Sequence, residues 1–314
     1  MGRIAFVFSG QGAQRLGMAS ELYREYASII RLFDEAEKVM PGITKLCFEG
    51  TPEELQDTKN TQPAMYLADM ASAIALRDEG IVPDGVAGFS LGELPALSYA
   101  GVMSEVEGFS IVCRRAAAMA KAVASSPACM IAVMKLDDEI VCELCRSFSS
   151  AYPANYNAPG QLVVSCGASE KDDFIRAVTS AGGRAIPLAV SGGFHSPFMN
   201  AAAEEFGSFL EGVKLEKPRL PVYSNVTAEL YSGDVRGALT RQINSPVLWR
   251  QLIERMVDDG YDTFVEAGVG GTLVKLIAKI RPGVATYTAE TPDEVRRVVA
   301  KLSAVASEVR YEGK

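Results

Sequence analysis

The stretch Val86-Ala87-Gly88-Phe89-Ser90-Leu91-Gly92-Glu93 places a serine in the pattern Gly-x-Ser-x-Gly. It reads as a strand that enters a tight turn and continues as a helix, from Glu93 to about Ala100. That context separates a nucleophile elbow from a chance match, because the turn admits only small residues beside the serine, and Gly88 and Gly92 supply them. Held at the tip, the Ser90 hydroxyl is exposed ahead of a helix N-terminus, where backbone N–H groups can face a developing oxyanion. An ordinary glycine-bearing strand–helix turn with an incidental serine shares the five-residue pattern, so the flanking elements carry the reading.

A serine nucleophile needs a base within hydrogen-bond reach. Histidine is the usual choice near neutral pH, and His195 is the only histidine in the 314 residues. It lies in the glycine-rich run Ser191-Gly192-Gly193-Phe194-His195-Ser196-Pro197, just before a helix. A lone histidine is more often structural, so this assignment is conditional on Ser90. The pair implies acyl transfer through an acyl-serine, with oxyanion donors expected at Leu91 and in the Gly10–Gly12 turn. A plain serine hydrolase adds a carboxylate to orient the histidine, in the chain order serine, acid, histidine for α/β-hydrolases. Here 105 positions separate Ser90 from His195 and no acid stands out among them. That argues against an ordinary esterase.

The elements that must position these residues follow from periodicity and punctuation. Arg3–Phe8 is an apolar strand ending in Ser9-Gly10-Gln11-Gly12-Ala13-Gln14, and a helix follows over roughly 17–26. The turn lacks dinucleotide spacing and has no Gly-Lys-Ser/Thr, so it is neither a Rossmann fingerprint nor a P-loop. Taken alone, it is equally a plain strand–helix turn. Pro41 to Lys59 is turn-rich. Thr61-Gln62-Pro63 opens a helix over 64–79 with proline at its first position, a strand over 82–89 precedes the elbow, and a helix over 105–124 carries Arg114 and Arg115. These arginines are either a solvated flank or, in one case, an inward carboxylate clamp. From 125 to 190 the order is β-α-β-β-α-β, that of a ferredoxin-like domain. Strands are expected over 221–226, 263–266 and 285–289, with helices over 200–212, 250–259, 272–280 and 292–309. The expected fold is α/β: a large α/β-hydrolase-like domain with a parallel central sheet (1–124 and 191–314) plus an inserted ferredoxin-like small domain (125–190).

Composition sets outer bounds. Hydrophobic residues are 48% and charged residues 22% of the chain, a globular balance. A net charge of −8 argues against general nucleic-acid binding or an anionic membrane surface. No apolar run approaches the roughly 20 residues of a membrane span, and the N-terminus has no signal-peptide layout. Six scattered cysteines suit a reducing cytoplasm. Cys142-x-x-Cys145 has no second pair, so no metal site is expected.

A series of motifs in one order makes the chain resemble the malonyl-CoA:acyl carrier protein transacylases of fatty acid synthesis, whose fold also serves as the acyltransferase domain of polyketide synthases. The motifs are Gly10-Gln11-Gly12-Ala13-Gln14, Gln62-Pro63-Ala64, Gly88-Phe89-Ser90-Leu91-Gly92-Glu93, the arginine helix, Asn155-Tyr156-Asn157-Ala158-Pro159-Gly160-Gln161, Phe194-His195-Ser196-Pro197, Tyr223-Ser224-Asn225-Val226 and Ser245-Pro246-Val247-x-Trp249. The resemblance implies that malonyl moves from coenzyme A to Ser90 and then to the phosphopantetheine thiol of an acyl carrier protein. It implies a Ser90–His195 dyad and oxyanion amides from Leu91 and Gln11. The family arginine, 25 residues after the serine, falls on Arg115 and would bind the malonyl carboxylate. Gln62, Asn157 and Phe194 are the further substrate-side positions, and a backbone carbonyl near Leu248 is expected to orient the histidine. Malonyl-CoA and the carrier protein are the implied partners. A monomer without cofactor, metal, nucleic acid or membrane is expected. A polyketide assembly line, another acyl-CoA or a serine hydrolase are the alternatives.

Three positions depart from the family pattern. Phe89 stands where histidine is common, Leu248 where glutamine is common, and Val269 where proline is common. Phe89 and Leu248 make the site more apolar, so altered selectivity or rate is expected. Lys275, Lys279, Arg281 and Arg184 are candidates for docking an acidic carrier or are solvated charges.

Overall fold

The computed structural model describes residues 2–312. Nine strands are described in chain order: β1 (Arg3–Phe8), β2 (Gly85–Gly88), β3 (Ala128–Met134), β4 (Ala151–Ala158), β5 (Gln161–Gly167), β6 (Arg184–Ser191), β7 (Val222–Tyr223), β8 (Tyr261–Ala267) and β9 (Ala285–Thr288). They form a five-stranded sheet in the order β7-β2-β1-β8-β9 and a four-stranded sheet in the order β4-β5-β3-β6. The chain divides into two compact units. One comprises Met1–Cys113, Glu216–Tyr223 and Met256–Lys314, and the other Arg114–Leu215 and Ser224–Arg255.

The first unit holds the five-stranded sheet, and all its pairings are parallel. A central parallel strand is covered on both faces, so it reads as a continuous apolar run. Arg3-Ile4-Ala5-Phe6-Val7-Phe8 fits that rule, and Ala5 through Phe8 are fully buried. β1 leads to β2 on one side and pairs with β8 on the other, so the carboxyl ends of the three central strands flank the point where the strand order reverses. Ligand sites of parallel sheets are built at such points. The buried helix Thr58–Asp78 belongs to this unit. It starts six residues before the expected 64, because Asp57 caps it: its Oδ1 accepts the Lys59 N–H at 3.0 Å. Pro63 is thus inside the helix and not at its first position.

The second unit holds the four-stranded sheet, whose pairings are all antiparallel. Helix Asp138–Arg146 joins β3 to β4, a two-residue turn joins β4 to β5, and helix Lys171–Ser180 joins β5 to β6. One face of the sheet packs Ile131, Val133, Leu162 and Val164 against Val141, Phe174 and Val178 of the two helices. Two helices escaped the sequence reading. Ile43–Glu49 lies in the stretch expected to be turn-rich. Val235–Gln242 is capped by Asp234, whose Oδ1 accepts the Gly237 N–H at 2.8 Å. The strand expected over 221–226 shrinks to Val222–Tyr223, because Ser224 turns away and donates its N–H to the Glu229 carbonyl at 2.9 Å. Among the described residues, no helix is long and apolar enough to cross a membrane.

Candidate active site

In the first unit, three loops leave the carboxyl ends of β1, β2 and β8. The β2 loop is the elbow. The Phe89 N–H extends the parallel ladder by one bond, to the Phe8 carbonyl at 3.0 Å. Ser90 then takes φ +54°, a left-handed conformation uncommon for serine, and a short 3₁₀ turn, Ser90–Gly92, passes into helix Glu93–Tyr99. The flanking glycines are obligatory for space. A Cβ on Gly88 would overlap the Gly92 carbonyl, and one on Gly92 would overlap the Phe8 carbonyl. Both obstacles are backbone and cannot yield. Leu91 follows the serine with its side chain buried, which fixes the turn from below.

The β1 loop lies against the elbow. A Cβ on Gly10 would come within 2.7 Å of the Phe89 carbonyl. Gly12 takes φ +110° and donates its N–H to Gln14 Oε1 at 2.7 Å. The Gln11 side chain donates to Thr58 Oγ1 at 3.5 Å, and its backbone N–H makes no hydrogen bond among the described residues. Gln62 is buried on helix Thr58–Asp78 in this same unit. Phe89 is half-buried beside Gly10, so the first departure from the family pattern puts an aromatic ring against this loop.

In the second unit, His195 is buried at φ +57°. Hydroxyls hold the chain on both sides of it. Ser165 Oγ donates to the Phe194 carbonyl and Ser196 Oγ to the Gly193 carbonyl, each at 2.6 Å. His195 Nδ1 meets the Gln242 carbonyl at 2.9 Å. A carbonyl only accepts, so Nδ1 carries the proton and Nε2 keeps its lone pair. Burial, and then the Arg115 cation, pull the imidazole down from 6.5 to about 4, while backbone carbonyls of Gln242 and Ser245 pull it partway back. The ring is therefore neutral at pH 7 and can take a proton.

The two arginines are resolved by burial. Arg114 is exposed, with its guanidinium 5.7 Å from the Phe209 ring centroid. Arg115 is 1% exposed and donates from Nη2 to Gln242 Oε1 at 2.7 Å. Gln242 thus touches both His195 and Arg115, and the sequence reading missed it. The expected orienting carbonyl, that of Leu248, instead accepts the Leu252 N–H at 2.9 Å at the start of a helix. The carbonyl that meets His195 Nδ1 belongs to Gln242, six residues earlier, at the end of the unread helix Val235–Gln242, and the Ser245 carbonyl also acts on the ring. Asp234 as a helix cap was the signal that could have found it. Asn157 is buried on β4 and its Oδ1 has no hydrogen-bond partner among the described residues. Phe194 is buried beside the histidine it precedes.

Comparison with known proteins agrees with this chemistry. The model of the acyl transferase domain family matches residues 5–306. The malonyl CoA-acyl carrier protein transacylase of Bacillus subtilis is 35% identical over 311 residues, covering 96% of this chain and 98% of that protein. The crystal structure of the malonyl CoA-acyl carrier protein transacylase from Clostridium perfringens superimposes with a TM-score of 0.95 at 32% identity, covering 98% of this chain and 99% of that one. A malonyl-transacylase solved in complex with its type II polyketide acyl-carrier protein superimposes with a TM-score of 0.92 at 31% identity, covering 95% and 99%. The chain belongs to the acyl transferase family, among the malonyl CoA-acyl carrier protein transacylases.

Proposed function

We propose that this chain transfers malonyl from coenzyme A to the phosphopantetheine thiol of an acyl carrier protein through a malonyl-Ser90 intermediate, supplying fatty acid synthesis. The observation that carries the reading is the left-handed Ser90 at the tip of a strand–turn–helix elbow, in a chain of this family. Ser90 Oγ attacks the thioester carbonyl carbon as His195 Nε2 takes its proton. The charge that develops on the carbonyl oxygen falls to the N–H groups of Leu91 and Gln11. Collapse breaks the C–S bond, and the coenzyme A sulfur leaves with the proton from the imidazolium. The second half runs in reverse, with the carrier's thiol as nucleophile and its proton taken by His195. The thioester supplies the driving force, so neither cofactor nor metal enters a step.

Arg115 binds the free malonyl carboxylate. A buried guanidinium pairs with a carboxylate in two parallel hydrogen bonds and would lose a partner to a neutral acetyl group, which is the basis of selectivity. Gln62, Asn157 and Phe194 complete the substrate side, and the unpartnered Asn157 Oδ1 supports that assignment. The structural relative solved with a polyketide carrier supports a second reading, a discrete acyltransferase of an assembly line, with the same chemistry and a different carrier.

The finer architecture belongs to the same proposal. The strand order β4-β5-β3-β6 with its β-α-β-β-α-β connection supports a ferredoxin-like small domain over 125–190. The elbow on a parallel sheet supports an α/β-hydrolase-like large domain; the bounds expected for it, 1–124 and 191–314, differ from the compact units, the second of which takes in 114–124, 191–215 and 224–255. We place the protein in the cytoplasm as a monomer that binds neither nucleic acid nor membrane, in keeping with its net charge of −8. The test is transfer itself. Mixed with malonyl-CoA and a phosphopantetheinylated carrier, the protein should raise the carrier's mass by one malonyl group. Release of free malonate with an unmodified carrier would make it a hydrolase.

A further inference from the structure

Beyond Phe8 the parallel ladder of β1 ends, with Phe8 in register with Ala267 of β8 and its carbonyl bonded to Phe89. From Ser9 onward the chain has no strand partner, yet it must present the Gln11 N–H at a fixed place beside the elbow. A side-chain relay does this. Ser9 Oγ donates to Asp69 Oδ1 at 2.6 Å and accepts the Val269 N–H at 3.3 Å. Asp69 comes from the middle of helix Thr58–Asp78, and both residues are buried. Gly268 leaves no slack, because a Cβ there would overlap both Asp69 Oδ1 and Ser9 Oγ. On the other side, Gly10 abuts the Phe89 carbonyl. Ser9 and Gly10 are therefore clamped by the β8 loop and the elbow, and Gln11 is the next residue.

We infer that Asp69, acting through the Ser9 hydroxyl, is a positioning residue for the Gln11 oxyanion amide; the inference rests on the acyl-Ser90 reading above. The cost of the arrangement points the same way. Asp69 is fully buried, its Oδ2 has no hydrogen-bond partner among the described residues, and burial holds its carboxyl well above the usual range. An apolar side chain would fill that volume without such a cost. What a short hydrogen bond adds is direction. Rate is sensitive to it, because an oxyanion donor acts only from the right place.

The experiment is rapid-quench intact-mass measurement of malonyl-Ser90 formation in wild type, Ser9→Ala, Asp69→Asn and Asp69→Leu, with KM and a far-UV spectrum for each. Ser9→Ala and Asp69→Leu should acylate roughly ten- to a hundred-fold more slowly, with native spectra and an unchanged KM for malonyl-CoA. Asp69→Asn keeps an oxygen for the Ser9 hydroxyl and should stay near the wild-type rate. Three results overturn the inference alone: a wild-type rate in Ser9→Ala, a loss confined to KM, or a Ser9→Ala chain without a native spectrum, which would assign the pair to stability only. A wild type that forms no malonyl-Ser90 overturns the functional reading, and this inference with it.

Discussion

Gln242 binds His195 through its backbone and Arg115 through its side chain. The carbonyl accepts Nδ1–H at 2.9 Å, and Oε1 accepts the guanidinium at 2.7 Å. Any residue supplies a carbonyl, so the histidine does not depend on the identity of residue 242. The arginine does. Gln242→Ala should leave kcat and its pH dependence nearly unchanged while raising the KM for malonyl-CoA about ten-fold, the scale of one charge-assisted hydrogen bond. Steady-state kinetics checks this. A collapse of kcat at constant KM would show that the side chain orients the base.

The depressed His195 titration predicts the acid limb of the pH profile. The imidazole is neutral down to about pH 4, so with His195 as the proposed base kcat/KM should hold through pH 5 and fall near 4. An acid limb near 6.5 would mean a solvated imidazole. The same shift sets a stability term. Between about 4 and 6.5 the unfolded chain binds the extra proton, so this contribution is full above 6.5 and is lost as pH falls towards 4. Going from pH 7 to 5 should cost wild type roughly 2 kcal/mol relative to His195→Gln in urea melts.

Glu266 should behave in the opposite sense. It is fully buried at β8, and its Oε2 accepts the Val274 N–H at 2.9 Å. Burial pushes it up from 4.5 to about 7, against the pull of backbone N–H groups from Val274, Leu273 and Thr272. The folded chain now holds the extra proton, so this term is full below pH 4.5 and is lost as pH rises through 7. Wild type should lose roughly 3 kcal/mol against Glu266→Gln between pH 4.5 and 8. A pH-independent gap in paired urea melts would contradict the burial argument.

The elbow glycines make a steric prediction. Gly92→Ala drives a methyl into the Phe8 carbonyl. It should cost roughly 2–4 kcal/mol and most of the activity. Gly233→Ala is the control, since a Cβ there meets nothing within 4 Å. It should shift stability by less than about 0.5 kcal/mol. Equal melting temperatures for the two variants would contradict the geometry.

What could be read from the sequence depended on how local the signal was. The Ser90 elbow was legible because its steric demand falls on residues two positions either side. The parallel core was legible because β1 is apolar throughout. His195 was reached by elimination, being alone of its kind. Choosing Arg115 over Arg114 took family spacing, because both sit on one alanine-rich helix, and burial then separated them. Gln242 was illegible for two reasons. Its helix has Gly237 in its first turn and was not recognised, and its role uses a backbone carbonyl, which every residue has. The Ser9–Asp69 pair was hidden too, since 60 positions separate two residues that meet only once the helix packs on the sheet.

The central claim is that Ser90 carries the malonyl group. Intact-mass spectrometry after brief mixing with malonyl-CoA tests it most directly, on wild type, Ser90→Ala and Arg115→Ala. Wild type should carry a single malonyl-sized adduct, Ser90→Ala none, and Arg115→Ala a much reduced one. An adduct that persists in Ser90→Ala, or none on wild type with any acyl-CoA, would contradict it.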